Sequence, residues 1–224
     1  MDKPWLVFGG WAISPDILCS VFGDKSIYVD INEMMKFLFD GEALNENWPD
    51  IVKERVNEYL TIDIAGIAGW STGAIMACKL AQKVSVKKLV LFSGTPSFCR
   101  REGFKYGQRP SIVQSMINKL KVKNNNVVKD FLIQCGLQAN ESVGKAYAED
   151  VLVKGLVFLE RVNLFNGLKK TEARIVVIHG KEDRIIPCQA GEALAGMMGA
   201  ECKLLNGGHA FFIDQCDEIK RMIE

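Results

Sequence analysis

Ile62-Asp63-Ile64-Ala65-Gly66-Ile67-Ala68-Gly69-Trp70-Ser71-Thr72-Gly73 is an apolar run that ends in a serine with glycines two residues to either side. An apolar run before the pentapeptide and a helical pattern after it put Ser71 on a turn from strand to helix. That is the layout of a nucleophile elbow, in which the serine backbone is strained and its hydroxyl stands clear of the sheet. Side chains larger than hydrogen at positions 69 and 73 would collide with the neighbouring strand and helix. The first amides of the following helix would face whatever the hydroxyl attacks. A lone Gly-x-Ser-x-Gly is more often an ordinary turn, so the surrounding chain has to carry the argument.

Outward from this stretch, short apolar runs alternate with helical patterns. Strands are expected at 5–8, 26–29, 62–68, 88–92, 174–179 and 201–205, and helices at 15–21, 32–39, 48–60, 72–83, 188–198 and 210–223. Continuously apolar strands such as Lys88-Leu89-Val90-Leu91-Phe92 and Ile175-Val176-Val177-Ile178 belong to a parallel sheet covered on both faces. Strand–helix alternation then gives a doubly wound α/β fold with a mostly parallel sheet of about six strands. Residues 97–170 break the rhythm. They offer no strand and three amphipathic helical pieces, at 111–120, 126–135 and 145–161, with Asn124-Asn125-Asn126 as a polar turn. This stretch reads as a helical lid inserted after the fourth strand, over the carboxyl edge of the sheet where such folds hold their sites. Residues 1–96 and 171–224 form the core around it.

Composition narrows the possibilities. The chain has 224 residues, 48% hydrophobic and 25% charged, which suits one soluble, well-buried domain. No apolar run approaches the ~20 residues that span a bilayer. Met1-Asp2-Lys3-Pro4 leads straight into a strand-like run, so no secretory leader is expected. Seven cysteines without Cys-x-x-Cys spacing read as reduced, mostly buried thiols of a cytoplasmic protein. The net charge of +1 conceals an asymmetry. Residues 97–170 hold 13 Lys+Arg against 6 Asp+Glu, a net +7, leaving −6 for the rest. A basic lid attracts an acidic partner or forms a lysine-rich solvated face.

A serine nucleophile needs a base and a group to orient that base. There are two histidines. His209 follows Asn206-Gly207-Gly208, just after the last strand. His179 ends the preceding strand and opens His179-Gly180-Lys181-Glu182-Asp183. In an elbow-type site the chain order is serine, acid, histidine. Ser71, Asp183 and His209 fit that order at three strand ends, and His179 is read as structural. The oxyanion donors would be the amide of Thr72 and that of Trp11, in the loop Phe8-Gly9-Gly10-Trp11-Ala12. That loop is not Gly-x-Gly-x-x-Gly, and no Gly-Lys-Ser/Thr exists, so neither a dinucleotide nor a phosphate loop is expected. Two distant histidines without clustered cysteines predict no metal site and no cofactor. Nothing points to nucleic acid or membrane.

With these residues in hand, the chain resembles the α/β-hydrolase superfamily over its whole length. Within it, it is similar to the pimeloyl-[acyl-carrier protein] methyl ester esterases of biotin synthesis, of BioH and BioG type. The matching pieces are Gly10-Trp11, Gly69-Trp70-Ser71, Gly94-Thr95-Pro96-Ser97-Phe98, Asp150-Val151-Leu152 with Gly155-Leu156, His179-Gly180…Asp183…Pro187 and Gly208-His209-Ala210-Phe211. The resemblance implies a serine carboxylesterase that hydrolyses a methyl ester on a pimeloyl chain borne by acyl-carrier protein. It carries substrate contacts over to Trp11, Thr72, His209, Phe131, Leu132 and, with spacing shifted by one, Gln134. It also implies that the acidic carrier docks on basic lid residues, among which are Arg100, Arg101, Lys119, Lys121, Lys123 and Lys129. There are two departures. The family's His-Gly before the oxyanion tryptophan reads Gly9-Gly10 here, and the first strand corresponds to the family's third. A thioesterase or small-ester esterase with another lid pocket fits the same triad. A non-catalytic binding protein on this scaffold is the third reading, disfavoured by the intact serine, aspartate and histidine.

Overall fold

Apolar strands fix the sheet. The computed structural model describes residues 3–123, 126–137, 146–169 and 171–224. Six strands, β1 (Trp5–Phe8), β2 (Ile27–Val29), β3 (Gly66–Trp70), β4 (Lys88–Phe92), β5 (Arg174–Gly180) and β6 (Cys202–Leu205), form one sheet in the order β2-β1-β3-β4-β5-β6. Every neighbouring pair is parallel. The interior strands β1 and β3 are buried along their whole length, as a sheet covered on both faces requires.

The core helices are α1 (Ile31–Leu38), α2 (Trp48–Arg55), α3 (Thr72–Leu80), α7 (Cys188–Met198) and α8 (Cys216–Ile223). Between β4 and β5 lie the lid helices α4 (Pro110–Lys121), α5 (Asn126–Gln134) and α6 (Glu149–Arg161). The expected helix at 145–161 begins outside the described residues, as do Asn124 and Asn125 of the polar turn and Lys170 at the lid's end. The lid's two ends are cinched together: Ser97 bridges to Asn163, and the Leu164 amide donates to Pro96 O at 2.8 Å. This is the α/β-hydrolase fold. Among the described residues no helix is long and apolar enough to cross a membrane.

Four local expectations are corrected. The strand expected at 62–68 runs instead from Gly66 to Trp70. Ile62 is 47% exposed in a turn, pairing starts at Trp5↔Gly66, and it continues through Trp70↔Phe92. The helix expected at 48–60 breaks at Val56, because its buried stripe of Trp48, Val52 and Val56 ends there and the next turn, Asn57–Leu60, buries nothing. The helix expected at 210–223 is interrupted. Phe211 and Phe212 are adjacent and both buried, which a tight 3₁₀ turn (Phe211–Ile213) permits before α8 begins. Likewise Pro15–Leu18 is 3₁₀ and leads into a single α turn, Cys19–Phe22. A two-residue hairpin, Phe39–Asp40 with Ala43–Leu44, had no sequence signal beyond Gly41, which has a φ of 56°.

Candidate active site

Ser71 sits between β3 and α3 with φ 56° and ψ −116°, in the left-handed half of conformational space that non-glycine residues rarely enter. The flanking glycines explain how the turn closes. A Cβ on Gly69 would lie 2.3 Å from Gly73 O, and one on Gly73 would lie 2.3 Å from Gly9 O. The elbow and the loop after β1 are thus in backbone contact. The Ser71 amide donates to Phe92 O at 2.9 Å, tying the turn to β4.

Asp183 and His209 meet beyond the ends of β5 and β6. His209 Nδ1 lies 2.7 Å from Asp183 Oδ2, and both residues are buried. Oδ1 of Asp183 accepts the amides of Ile185 at 2.8 Å and Ile186 at 2.9 Å. Burial by itself would push this carboxyl up. The positive charge available to His209 and the hydrogen bonds from His179 and His209 outweigh that, and hold it well below the usual carboxylate range. The backbone of His209 is anchored as firmly as its ring. Its carbonyl accepts from Trp70 Nε1 and from Ser93 Oγ, both at 3.0 Å, and the Trp70 and His209 rings lie 5.3 Å apart. Trp70 precedes the serine, so the elbow itself holds the histidine. No hydrogen bond joins Ser71 Oγ to His209 Nε2, and Nε2 is buried without a partner among the described groups. Catalytic hydrogen bonds in unliganded sites are often long and tighten on binding.

His179, read from the sequence as structural, also touches the acid. Its Nε2 lies 2.8 Å from Ile186 O and 3.1 Å from Asp183 Oδ2. Both facing atoms are acceptors, so Nε2 carries the hydrogen. Gly191 makes room for the ring, since a Cβ there would stand 2.2 Å from His179 Nδ1. The i,i+4 spacing of His179 and Asp183 was visible; that the intervening loop folds back onto one carboxylate oxygen was not.

Trp11 and Thr72 line one cavity with Ser71, of about 490 Å³. Thr72 opens α3, so its amide belongs to the first turn, where no intrahelical acceptor exists. The cavity runs under the lid. From α5 it is lined by Val127, Asp130, Phe131 and Gln134, one helical face. Leu132 does not line it: one position on from Phe131, it turns into the core and is 5% exposed. Phe98, Val113, Leu156, Leu159 and Ile185 supply apolar wall, while Lys119 and Arg184 bring positive charge. The Trp11 indole donates to Leu152 O of α6 at 2.9 Å and meets Phe131 edge-on at 4.9 Å, so the loop after β1 also carries the lid.

The lid cations differ in use. Arg100 and Arg101 donate to the lid's own carbonyls of Gly107 and Glu160, and Lys121 lies 4.0 Å from Glu42. Lys123 and Lys129 are exposed. All seven cysteines are free; burial pushes the Cys78 thiol up to about 12, far from thiolate chemistry. Among the described residues no group of three or more His, Cys, Asp or Glu converges as metal ligands would.

The fold is that of the α/β hydrolases, and Ser71, Asp183 and His209 stand beyond the ends of β3, β5 and β6. Relatives say what that architecture does elsewhere. The chain is 25% identical over 171 residues to a pimeloyl-[acyl-carrier protein] methyl ester esterase of Stenotrophomonas maltophilia, a match covering 70% of this chain. The match spans 66% of that relative, just under two thirds of its length. Among solved structures it is similar to an esterase from Exiguobacterium antarcticum (TM-score 0.80, 18% identity, 99% of this chain and 90% of that one). It is also similar to the enol-lactonase from Burkholderia xenovorans (TM-score 0.74, 14% identity, 100% and 90%). No family model matches the chain.

Proposed function

We propose that this protein is a serine carboxylesterase whose substrate is a methyl ester on an acyl chain borne by acyl-carrier protein, the pimeloyl ester of biotin synthesis. The observation that carries the hydrolase reading is the Asp183–His209 pair at 2.7 Å, anchored through Trp70 to the strained Ser71 turn. In the reaction, Ser71 Oγ attacks the ester carbonyl carbon and its proton passes to His209 Nε2. Asp183 holds Nδ1–H and stabilises the imidazolium. The amides of Thr72 and Trp11 take the negative charge of the tetrahedral oxygen. The C–O bond breaks, methanol leaves with the proton from His209, and an acyl-serine remains. Water, deprotonated by the same histidine, releases the free acid and restores Ser71.

The name of the Stenotrophomonas relative supports the substrate. So does a cavity that joins Ser71 to an apolar wall and carries Lys119 and Arg184 against Asp130, which suits an acyl chain with an anionic carrier beyond it. The lid, 97–170, is the docking surface, through Lys119, Lys123 and Lys129 rather than the arginines already engaged by the lid backbone. The test compares a carrier-bound dicarboxylate monomethyl ester with a neutral p-nitrophenyl ester across 25–400 mM salt. Carrier-bound turnover should fall about tenfold or more as the lid is screened, with the neutral ester unaffected. Equal salt response of the two substrates contradicts carrier recognition. Failure to cleave the carrier-bound ester with retained small-ester activity favours another acyl substrate.

A further inference from the structure

The loop that should supply the second oxyanion donor is built from residues that cannot hold its shape. Gly9 and Gly10 have no side chains, and Ala12 adopts a φ of 61°. The backbone is threaded tightly: a Cβ on Gly9 would lie 2.9 Å from Pro15, and one on Gly10 would lie 3.0 Å from the Trp70 ring. Tight packing limits where the loop goes. It does not decide which way each peptide faces, and an oxyanion hole depends on that.

Asn32, in the first turn of α1, supplies the missing constraint. It is a fully buried polar side chain, at 0% exposure, and every polar atom of its carboxamide is engaged. Oδ1 accepts the Ala12 amide at 2.8 Å, and Nδ2 donates to Gly10 O at 3.2 Å, with a longer approach to Ile13 O at 3.5 Å. Asp30 orients the group: its Oδ1 lies 3.3 Å from Asn32 Nδ2 and accepts the Asn32 amide at 3.0 Å. The same aspartate caps α1 and receives Tyr147 Oη from the lid at 2.9 Å.

Asn32 therefore grips the chain on both sides of Trp11. A peptide unit is planar and trans, so its C=O and N–H point in opposite directions. Holding Gly10 O toward Asn32 turns the Trp11 N–H of the same peptide away from Asn32. Engaging the Ala12 N–H removes the neighbouring amide from competition. We propose that Asn32 is the positioning residue of the oxyanion hole, fixing the Gly10–Trp11 peptide so that the Trp11 amide faces the carbonyl attacked by Ser71. This rests on the serine-hydrolase reading above. It also answers the sequence's departure at Gly9: the rigidity comes from α1, about twenty residues downstream, rather than from the loop.

The test uses Asn32→Ala and Asn32→Ser, each checked for folding by circular dichroism, with a neutral p-nitrophenyl ester and an arylboronic acid. The boronate forms a tetrahedral adduct on Ser71 whose oxygen occupies the hole. A donor that acts in the transition state changes kcat and leaves KM in place. Expected are a fall in kcat of about 100-fold, KM within about twofold, and a boronate Ki raised by a factor similar to the loss in kcat. Folded variants with wild-type kcat and boronate affinity overturn the proposal, as does a loss confined to KM. Ser71→Ala runs alongside. If it still hydrolyses the ester, the assignment of Ser71 as nucleophile falls and the oxyanion-hole reading with it; if it is inactive while the Asn32 variants behave as wild type, only the Asn32 assignment falls.

Discussion

At Asp183 two histidines share one carboxylate oxygen, with His209 Nδ1 at 2.7 Å and His179 Nε2 at 3.1 Å, while the other oxygen takes two backbone amides. The carboxylate is held from every side, so the imidazole it orients has little freedom. Removing a donor leaves a buried carboxylate and a buried carbonyl short of a partner, which costs more than the hydrogen bond contributed. His179→Leu should lower kcat by about 10- to 100-fold through misplacement of His209. His179→Gln, whose amide reaches the Nε2 position, should retain most of it. Steady-state kinetics on a neutral ester decides. Equal loss in both variants, or none in the leucine variant, shows that the contact with Asp183 does not matter. At this scale the sequence singled out Ser71, Asp183 and His209 as candidates, because each carries a local sign: flanking glycines, a strand end, a glycine pair. Asn32 carried none. An asparagine in the first turn of a helix reads as a helix residue, and its partner Ala12 is twenty positions away.

The strand–elbow–helix unit, β3 to α3, works because glycine at 69 and 73 lets backbone touch backbone. An alanine at 73 would drive a Cβ to 2.3 Å from Gly9 O and 2.4 Å from Phe8 O, and neither strand nor loop can give way without moving Trp11. Gly196 in α7 has nothing within 4 Å of such a Cβ. Gly73→Ala should lower the melting temperature and abolish activity together. Gly196→Ala should raise stability by about 0.5–1 kcal/mol, as alanine does in a helix interior, with activity unchanged. Thermal melts and ester assays on both variants check this; a tolerated Gly73→Ala would mean that the elbow relaxes easily. The glycines of the elbow were legible as a motif, whereas the element bounds around it were not. Gly69-Trp70 looks like the start of a turn but still pairs with Leu91 and Phe92. The break at Val56 follows from which face is buried, and that is decided by the packed molecule.

Across the whole molecule, the C-terminal edge of the sheet gathers residues from distant parts of the chain into one cavity. An aromatic cluster ties them together: Phe92 of β4 packs on Phe22, Phe211 and Phe212 at 5.7, 5.6 and 5.9 Å. Phe212 in turn meets Trp70 edge-on at 5.1 Å, so the turn after His209 and the elbow share one apolar support. The strand–helix alternation and the lid insertion were readable from hydrophobic pattern alone. The division of labour among the lid cations was not, since Arg100 and Arg101 bond to carbonyls that only the folded lid brings near. If Ser71 is the nucleophile, the acyl-enzyme can be trapped on it. Brief reaction with a p-nitrophenyl ester or a fluorophosphonate, followed by peptide mass spectrometry, should place one acyl or phosphonyl adduct on Ser71. Ser71→Ala should take no label and lose activity by about 10⁴-fold or more. An adduct on another residue, or turnover surviving in Ser71→Ala, would contradict the account.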